Sequence, residues 1–432
     1  MIGTGYLGAT HAACLAACGH EVVGIDSDPD KVARLAAGAA PFHEPGLDDL
    51  LRSGVGSGGL TFHTDSSRAS GADVHFLCVG TPQQAGSHAA DLSALDAAVA
   101  SLAPWLRDPC LVVGKSTVPV GTARRLADRL AAQAPAQVRT AWNPEFLREG
   151  HAVEDSLRPD RLVFGVEDDE SDQVLRDVYA PMINAGVPVV RTDLETAELA
   201  KVSANVMLAT RISLVNLLAE VCEAADADVG ELTAILGLDA RIGSEFLSPG
   251  VGYGGGCLPK DTRAFVARAR ELGVGGPAGL LREVDAINMR QRSRTIDLAV
   301  QMLGGSVAGH RVAVLGAAFK AGSDDVRDSP ALDVAATLQA RGADVHLFDP
   351  RAGAKAKAAQ PLLTIEDDVD AACRDADIVL VLTDWDDFRG LDPVALADVV
   401  RVPRVIDGRL VLDPEKWRAA GWQLHALGRG AR

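Results

Sequence analysis

Short apolar runs that stop at Gly, Thr or Pro recur along the first part of the chain: EVVGID (21–26), ADVHFLCVGTP (72–82), CLVVGKSTVPVGT (110–122) and AWNPEFLREG (141–150). Runs of this length without polar alternation predict parallel strands buried on both faces, whose C-terminal ends carry ligands. Helical stretches separate them, and the alternation ends near VPVVRTD (187–193). The period then changes. Apolar residues at 199, 202, 206, 212, 215, 218 and 222 predict one helical segment over 194–228, longer than a crossover within one domain needs. We expect it to bridge domains and to pack against a partner subunit. Strand, turn and helix return over 310–350, where Ser329 and Pro330 predict a capped helix start. ADIVLVLTDW (376–385) and PRVIDGRLVL (403–412) predict later strands, and the glycine-rich SGVGSGG (53–59) predicts a surface turn.

The pattern defines an α/β protein: two Rossmann-like domains with parallel sheets, joined by a long central helical region. The expected boundaries are 1–193, 194–304 and 305–432. A chain of 432 residues exceeds one core, and 47% hydrophobic with 23% charged residues is the composition of a soluble globular protein. A net charge of −17 argues against nucleic acid or an anionic membrane as partner. An anionic small substrate would need a locally basic pocket. No run approaches 18 uninterrupted apolar residues and no signal-peptide layout opens the chain, so a cytoplasmic location is expected. The seven cysteines are scattered without any C-x-x-C, which predicts reduced thiols and no metal site; Cys14 and Cys18 read as apolar packing.

Gly3, Gly5 and Gly8 form a G-x-G-x-x-G turn at a helix start, where backbone N–H groups can hold a pyrophosphate. Asp26 closes the next strand 18 residues after Gly8, placed to accept from a ribose diol and to repel a 2′-phosphate, which favours NAD over NADP. Only Met1 and Ile2 precede the turn. The first strand is therefore expected to be missing, or the start to lie several residues too late, as a valine codon read as a start would cause. The second α/β unit has Gly316 but no such fingerprint, so no second dinucleotide is expected; its entry loop offers Lys320 and Arg327, and Arg409 ends a strand.

GYGGGCLPKD (252–261) sets Cys257 between glycines and Lys260–Asp261. A neighbouring lysine or helix N-terminus lowers a thiol's pKa and makes it a nucleophile. Such a thiol can capture an aldehyde as a hemithioacetal that is oxidised to a thioester, with a nearby carboxylate moving a proton. A buried structural cysteine with Asp261 capping a helix is the alternative. Lys201 and Asn205, four apart, share a helix face, either as a site pair or as a solvated polar stripe.

These blocks, with FHEPGLDDLL (42–51), KSTVPVGT (115–122), NPEFLREG (143–150), ELAKVSAN (198–205), RIGSEFLSPGVGYGGGCLPKD (241–261), GAAFKAGSDDVRDSP (316–330) and IDGR (406–409), resemble in order the UDP-glucose/GDP-mannose dehydrogenase family over nearly the whole chain. The resemblance implies NAD-dependent four-electron oxidation of a nucleotide sugar, UDP-glucose first and GDP-mannose or another nucleotide sugar as the alternative. A non-catalytic sensor of NAD and sugar nucleotide, or a two-electron dehydrogenase stopping at the aldehyde, are the readings of other kinds. It implies a homodimer through the central helix. Cys257 then resembles the nucleophile, Asp261 its carboxylate, Lys201 the oxyanion-steadying lysine and Asn205 its companion. Thr117 resembles the residue positioning the water, and Glu145 the base of thioester hydrolysis. Tyr6, Leu7, Lys31, Thr81, Thr117, Lys260 and Arg327 look like further NAD contacts. Phe146, Leu147, Glu149, Phe246, Tyr253, Gly254, Phe319, Lys320 and Arg409 look like substrate contacts, beside Glu145, Lys201 and Asn205. Arg241 resembles an arginine that reaches the neighbouring subunit's substrate. The Gly-Gly-Gly-Cys run departs from the serine that many relatives carry before the cysteine.

Overall fold

The computed structural model describes residues 1–430. Helix α1 (Tyr6–Ala17) follows the glycine turn and leads to β1 (Val22–Ile25); α2 (Leu47–Ser57) leads to β2 (Leu60–His63). The SGVGSGG stretch is therefore mainly the last turns of a helix and not a surface turn. Close packing explains this: a Cβ at Gly54 would sit 3.1 Å from the Leu60 side chain and 3.6 Å from Ala16.

β3 (Val74–Leu77), β4 (Cys110–Gly114), β5 (Val138–Trp142), β6 (Leu162–Gly165) and β7 (Val189–Thr192) form the rest of the first sheet, with α3 (Thr122–Gln133) between β4 and β5. The strands expected at 21–26, 72–82, 110–122 and 141–150 are present, the last beginning earlier, at Val138. β1 pairs with β2, and β3 to β5 follow in parallel. β6 meets β5 antiparallel through Trp142 and Gly165, then runs parallel to β7, so this sheet is mixed at one edge.

Among the described residues no strand precedes α1, in line with the expected loss of the first strand, and only bridges at Ile2 stand in its place. Ile2 bridges Ile25 on one side and Leu77 on the other. Its N–H donates to Phe76 O at 2.7 Å and its carbonyl accepts from Cys78 N at 2.7 Å, while Gly3 N donates to Ile25 O and Ile25 N to Met1 O, each at 2.8 Å. Met1, Ile2 and Gly3 thus pair backbone groups of Ile25 on one side and of Phe76 and Cys78 on the other. Burial lowers the Met1 amine to about 6.

The long segment is one helix, α4 (Leu194–Ala224), followed by α5 (Leu258–Glu271) and α6 (Pro277–Met302). By length and hydropathy alone α4 could cross a membrane, yet it buries Glu198, Lys201, Asn205, Ser213 and Asn216. Leu199, expected on its apolar face, is exposed.

The second sheet contains β8 (Arg311–Leu315), β9 (Asp344–Phe348), β10 (Thr364–Ile365), β11 (Ile378–Val381), β12 (Arg404–Asp407) and β13 (Gln423–Ala426), all parallel in the order β10-β9-β8-β11-β12-β13, with α7 (Pro330–Ala340) after β8. The Ser329 hydroxyl caps α7 by accepting from Leu332 N at 3.3 Å. β8, β11 and β12 are buried almost throughout, as their unbroken apolar runs require.

By internal contacts the chain forms two compact units. One comprises Met1–Ala204 with Arg263–Gly273, the other Asn205–Thr262 with the segment from Val274 onward. The divisions fall inside α4 and α5.

Candidate active site

In the first unit, the three glycines of the opening turn serve different needs. Gly3 has φ +86°, a left-handed conformation. A Cβ at Gly8 would collide with the Gly3 carbonyl, so that position keeps turn and helix in contact. A Cβ at Gly5 would meet nothing within 4 Å, and Gly5 starts α1 with no side-chain cap. Open space over an uncapped helix N-terminus is what a pyrophosphate requires, so the residues present fit NAD.

Asp26 lies beside this turn, 8% exposed. Both its oxygens accept from Lys31 Nζ at 2.9 Å, and Thr4 N donates to Oδ2 at 2.8 Å. Burial pushes its pKa up, but Lys31 and the backbone N–H groups of Thr4 and Asp28 outweigh that and hold it below the usual range. Lys31 thus acts on the carboxylate expected to receive the ribose. The Tyr6 hydroxyl is engaged with Glu44, which also accepts from Gly150 N at 2.8 Å and Ala152 N at 2.7 Å. Glu44 ties the glycine turn's helix to the end of NPEFLREG, a role absent from the sequence reading. Leu7 packs against the core beneath.

Buried Lys201 and half-buried Glu145 form an ion pair, Nζ to Oε1 3.1 Å. The polar-stripe alternative fails for Lys201, which is 5% exposed. The second Glu145 oxygen accepts from Leu147 N at 2.6 Å, which fixes the carboxylate's direction. Phe146 lies under two cations, Arg161 at 3.8 Å and Lys201 at 5.8 Å from its ring centre. Thr81 Oγ1 donates to Thr117 O at 2.6 Å, so Thr81 holds the backbone of the expected water-positioning residue. Glu149 lies close enough to Tyr6 to raise its pKa, after burial and Glu44.

A second buried cation was not foreseen. Lys115, two residues before Thr117, donates to Asn143 Oδ1 at 2.7 Å and the Tyr179 hydroxyl at 3.2 Å. Burial lowers its pKa to about 8, with Cys78 and Glu145 pulling the other way. The nearby His11 is pushed well below its ordinary value by burial, then by Lys115.

In the second unit, Cys257 is the one exposed cysteine of the seven. Its carbonyl accepts from Asp261 N at 2.9 Å, the first bond of α5, so the thiol sits at a helix N-terminus. This removes the reading of a buried structural cysteine. Asp261 is 2% exposed; Asn205 Nδ2 donates to its Oδ2 at 2.6 Å and Lys260 Nζ bonds its other oxygen. Lys260 is thus paired with the carboxylate behind the thiol.

The glycines before Cys257 permit close packing more than freedom. Gly252 has φ +100° and Gly255 φ +84°. Cβ atoms at Gly254, Gly255 and Gly256 would collide with Asp328 O, the Phe319 ring and the Arg327 guanidinium respectively. Asn288 on α6 holds Tyr253 from both sides, accepting from its N–H at 2.7 Å and donating to its carbonyl at 3.0 Å. Buried Arg292 pairs with Asp328 at 2.9 Å. The loop thereby gathers Tyr253, Gly254, Phe319 and Arg327 in one place. Lys320 lies 5.7 Å from the Phe319 ring centre. Arg409 Nε donates to Leu382 O at 2.9 Å and its guanidinium reaches Phe319 O at 3.4 Å; burial lowers its pKa. Phe246 holds φ +59°, a strained conformation for an aromatic residue and one that clusters at binding sites. Arg241 stands apart from this cluster, exposed and paired with Asp239.

Three family models match in order: the UDP-glucose/GDP-mannose dehydrogenase family NAD binding domain over residues 1–183, its central domain over 195–290, and its UDP binding domain over 313–414. A UDP-glucose 6-dehydrogenase of Rhizobium meliloti is 40% identical, with 99% of each chain covered. The UDP-glucose 6-dehydrogenase AglM of Haloferax volcanii is 41% identical over 95% of this chain and 96% of its own. Among solved structures, a UDP-glucose dehydrogenase from Pyrobaculum islandicum superposes with a TM-score of 0.90 at 36% identity, covering 98% of this chain and 95% of that one. With its NAD cradle, its exposed Cys257 at a helix start and all three family domains in sequence, the chain belongs to the UDP-glucose/GDP-mannose dehydrogenase family.

Proposed function

We propose that the chain oxidises UDP-glucose to UDP-glucuronate, taking two hydrides from C6 before releasing the acid. The observation that carries the mechanism is Cys257, the single exposed thiol, at the N-terminus of α5 with Asp261 one turn behind it. The choice of UDP-glucose rests on the relatives that bear that activity in their names.

NAD supplies the hydride acceptor, one molecule for each oxidation. The chain's own residues do the rest. Lys201 carries the cation that stabilises an alkoxide and later a tetrahedral oxyanion, and Asn205 hydrogen-bonds beside it. Cys257 adds to the C6 aldehyde as a thiolate, and the hemithioacetal becomes a thioester when the second hydride leaves. Glu145, aimed by Leu147 N, takes a proton from the hydrolytic water that Thr117 orients, and Asp261 exchanges protons with the departing sulfur. Per sugar, one alcohol, two NAD⁺ and one water give one carboxylic acid, two NADH and two protons, with a third proton when the acid ionises. Lys320 and Arg409 provide the local positive charge that the UDP-sugar's diphosphate needs in a chain of net charge −17. Domain roles follow as 1–193 for NAD, 194–304 for the central helical region and 305–432 for the UDP-sugar.

The chain acts as a homodimer through α4, where Met207, Leu214 and Val221, seven residues apart, expose an apolar stripe. Arg241 is lent across that interface. Leu214→Glu should yield monomers in sedimentation; an unaltered dimer would remove α4 from the interface.

NADH yield against a panel of UDP- and GDP-sugars tests the function. Two NADH per UDP-glucose are expected. One NADH per sugar would establish an enzyme that stops at the aldehyde, and a yield from GDP-mannose or a UDP-N-acetylhexosamine alone would reassign the substrate. A UDP-D-ManNAc dehydrogenase from Pyrococcus horikoshii shares the fold at 25% identity with a TM-score of 0.88, which makes that last arm worth including.

A further inference from the structure

Thr117 lies on the turn that leads from β4 into α3, and the far end of this turn has no cap of its own. Gly121, the residue before α3, has φ +93° and no side chain to offer. A helix start leaves backbone N–H groups without partners, and a carboxylate there meets both those donors and the positive end of the helix. Glu198 fills the role from another element: Oε2 accepts from Gly121 N and Oε1 from Ala123 N, each at 2.6 Å. Glu198 is 2% exposed, and each of its oxygens is engaged by one of these two donors. It lies on α4 three residues before Lys201, on the same face.

The rest of the turn is also held from outside itself. Arg268 of α5 donates from Nε to Val120 O at 3.0 Å, and Thr81 holds Thr117 O. The helices that carry Lys201 and Asp261 therefore each grip the turn that carries Thr117.

The geometry points to Glu198 as a positioning residue of the reaction: its two-oxygen clamp locks the 117–122 turn to α4 and keeps Thr117 at a fixed offset from Lys201. This rests on the reading above that Thr117 and Lys201 act on the substrate. An ordinary cap would stabilise α3 from any direction. Here the cap comes from the helix bearing the cation, and its two oxygens take the N–H groups of Gly121 and Ala123, on either side of Thr122. Glutamine at this position keeps the shape but can accept only one of the two N–H groups, because its NH2 would face the other.

The test is a cycle of Glu198→Gln and Thr117→Ala, assayed by NADH release from UDP-glucose. A misplacement of about 1 Å can cost on the order of 100-fold in rate. Glu198→Gln should lower kcat by about 10- to 100-fold with KM for both substrates changed by less than about threefold. In the Thr117→Ala background the same substitution should cost less than about twofold, since residues acting through one another are not additive. Equal losses in both backgrounds, or an undiminished kcat in Glu198→Gln, would overturn the assignment. Should Glu198→Gln not fold, Glu198→Asp, which keeps the charge but shortens the reach, is carried through the same cycle with the same criteria. If the unaltered protein releases no NADH from any nucleotide sugar, the functional reading fails instead. The clamp is read separately by amide hydrogen exchange at Gly121 and Ala123, which should rise at least about tenfold in Glu198→Gln. Unchanged protection there would overturn the clamp in either case.

Discussion

Gly5 and Gly8 stand three residues apart in one motif, yet the structure assigns them opposite consequences on substitution by alanine. At Gly5 the backbone has φ −68° and ψ −163°, which any residue adopts, and the added Cβ meets nothing within 4 Å. Loss of unfolded-chain freedom alone then stabilises Gly5→Ala by about 0.4–1 kcal/mol. For a unit of this size 1 kcal/mol corresponds to about 2–4 °C in the thermal midpoint, so a rise of no more than about 4 °C is expected. The same methyl group occupies the space a pyrophosphate must enter to reach the N–H groups at the start of α1. Losing one charge-assisted hydrogen bond of about 1.5–3 kcal/mol weakens NAD binding about 10- to 100-fold. At Gly8 the Cβ would overlap the Gly3 carbonyl and lie 3.1 Å from the Cys78 side chain. Overpacking against backbone that cannot retreat costs about 3 kcal/mol or more, lowering the midpoint by about 6–12 °C before NAD is considered. Differential scanning fluorimetry and NAD titration calorimetry on the two variants separate the cases. Gly5→Ala with unchanged NAD affinity, or Gly8→Ala with an unchanged midpoint, would refute the division of labour.

Three other outcomes follow from the same geometry. Burial pushes the Glu198 carboxyl up to about 7, against the pull of the Ala123 and Gly121 N–H groups. A raised acid pKa means ionisation is disfavoured in the fold, so stability relative to Glu198→Gln is largest below about pH 4.5 and declines as pH rises toward 7, by at most about 3 kcal/mol; a midpoint difference flat from pH 5 to 8 would contradict this. Lys201→Met leaves half-buried Glu145 without its close cation and should cost about 1–3 kcal/mol. Adding Glu145→Gln should restore the thermal midpoint but not turnover, and a double variant as unstable as the single one would show that the pair is not the cause. Iodoacetamide should label Cys257 ahead of Cys14, Cys78 and Cys373, because it is exposed while burial pushes those three up to about 12; peptide mapping that finds any of those three labelled as fast would refute the assignment.

The parts of this molecule that were legible in the sequence are those whose physical demand is local. A glycine that must clear a carbonyl, a Ser-Pro helix start and an unbroken apolar strand each leave their mark within a few residues, and Gly8, Ser329 and β11 are found as read. Ile2 could not be read this way. A strand of one residue has no periodicity, and its value comes from two neighbours at Ile25 and Leu77 that the chain supplies only after folding. The same holds for the side chains that hold the site in place. Glu198 meets its donors 75 and 77 positions away, Glu44 meets Gly150 after 106, and Asn288 meets Tyr253 after 35. A lone polar residue in a helical stretch looks the same whether it faces water or caps a distant turn.

The glycines around Cys257 serve close approach, although glycine is also the least restrained residue. In the fold each missing Cβ is replaced by a neighbour: Asp328 O, the Phe319 ring, the Arg327 guanidinium. The chain gains proximity at three successive positions and loses mobility in exchange, while Asn288 fixes the loop's entry. A nucleophile that must meet the same carbon twice, first as aldehyde and then as thioester, benefits more from such fixed placement than from reach, because effective concentration depends on geometry held within fractions of an ångström. Small residues there are a condition for this packing, and a larger residue at position 254 would displace the Asp328 backbone before it touched the thiol.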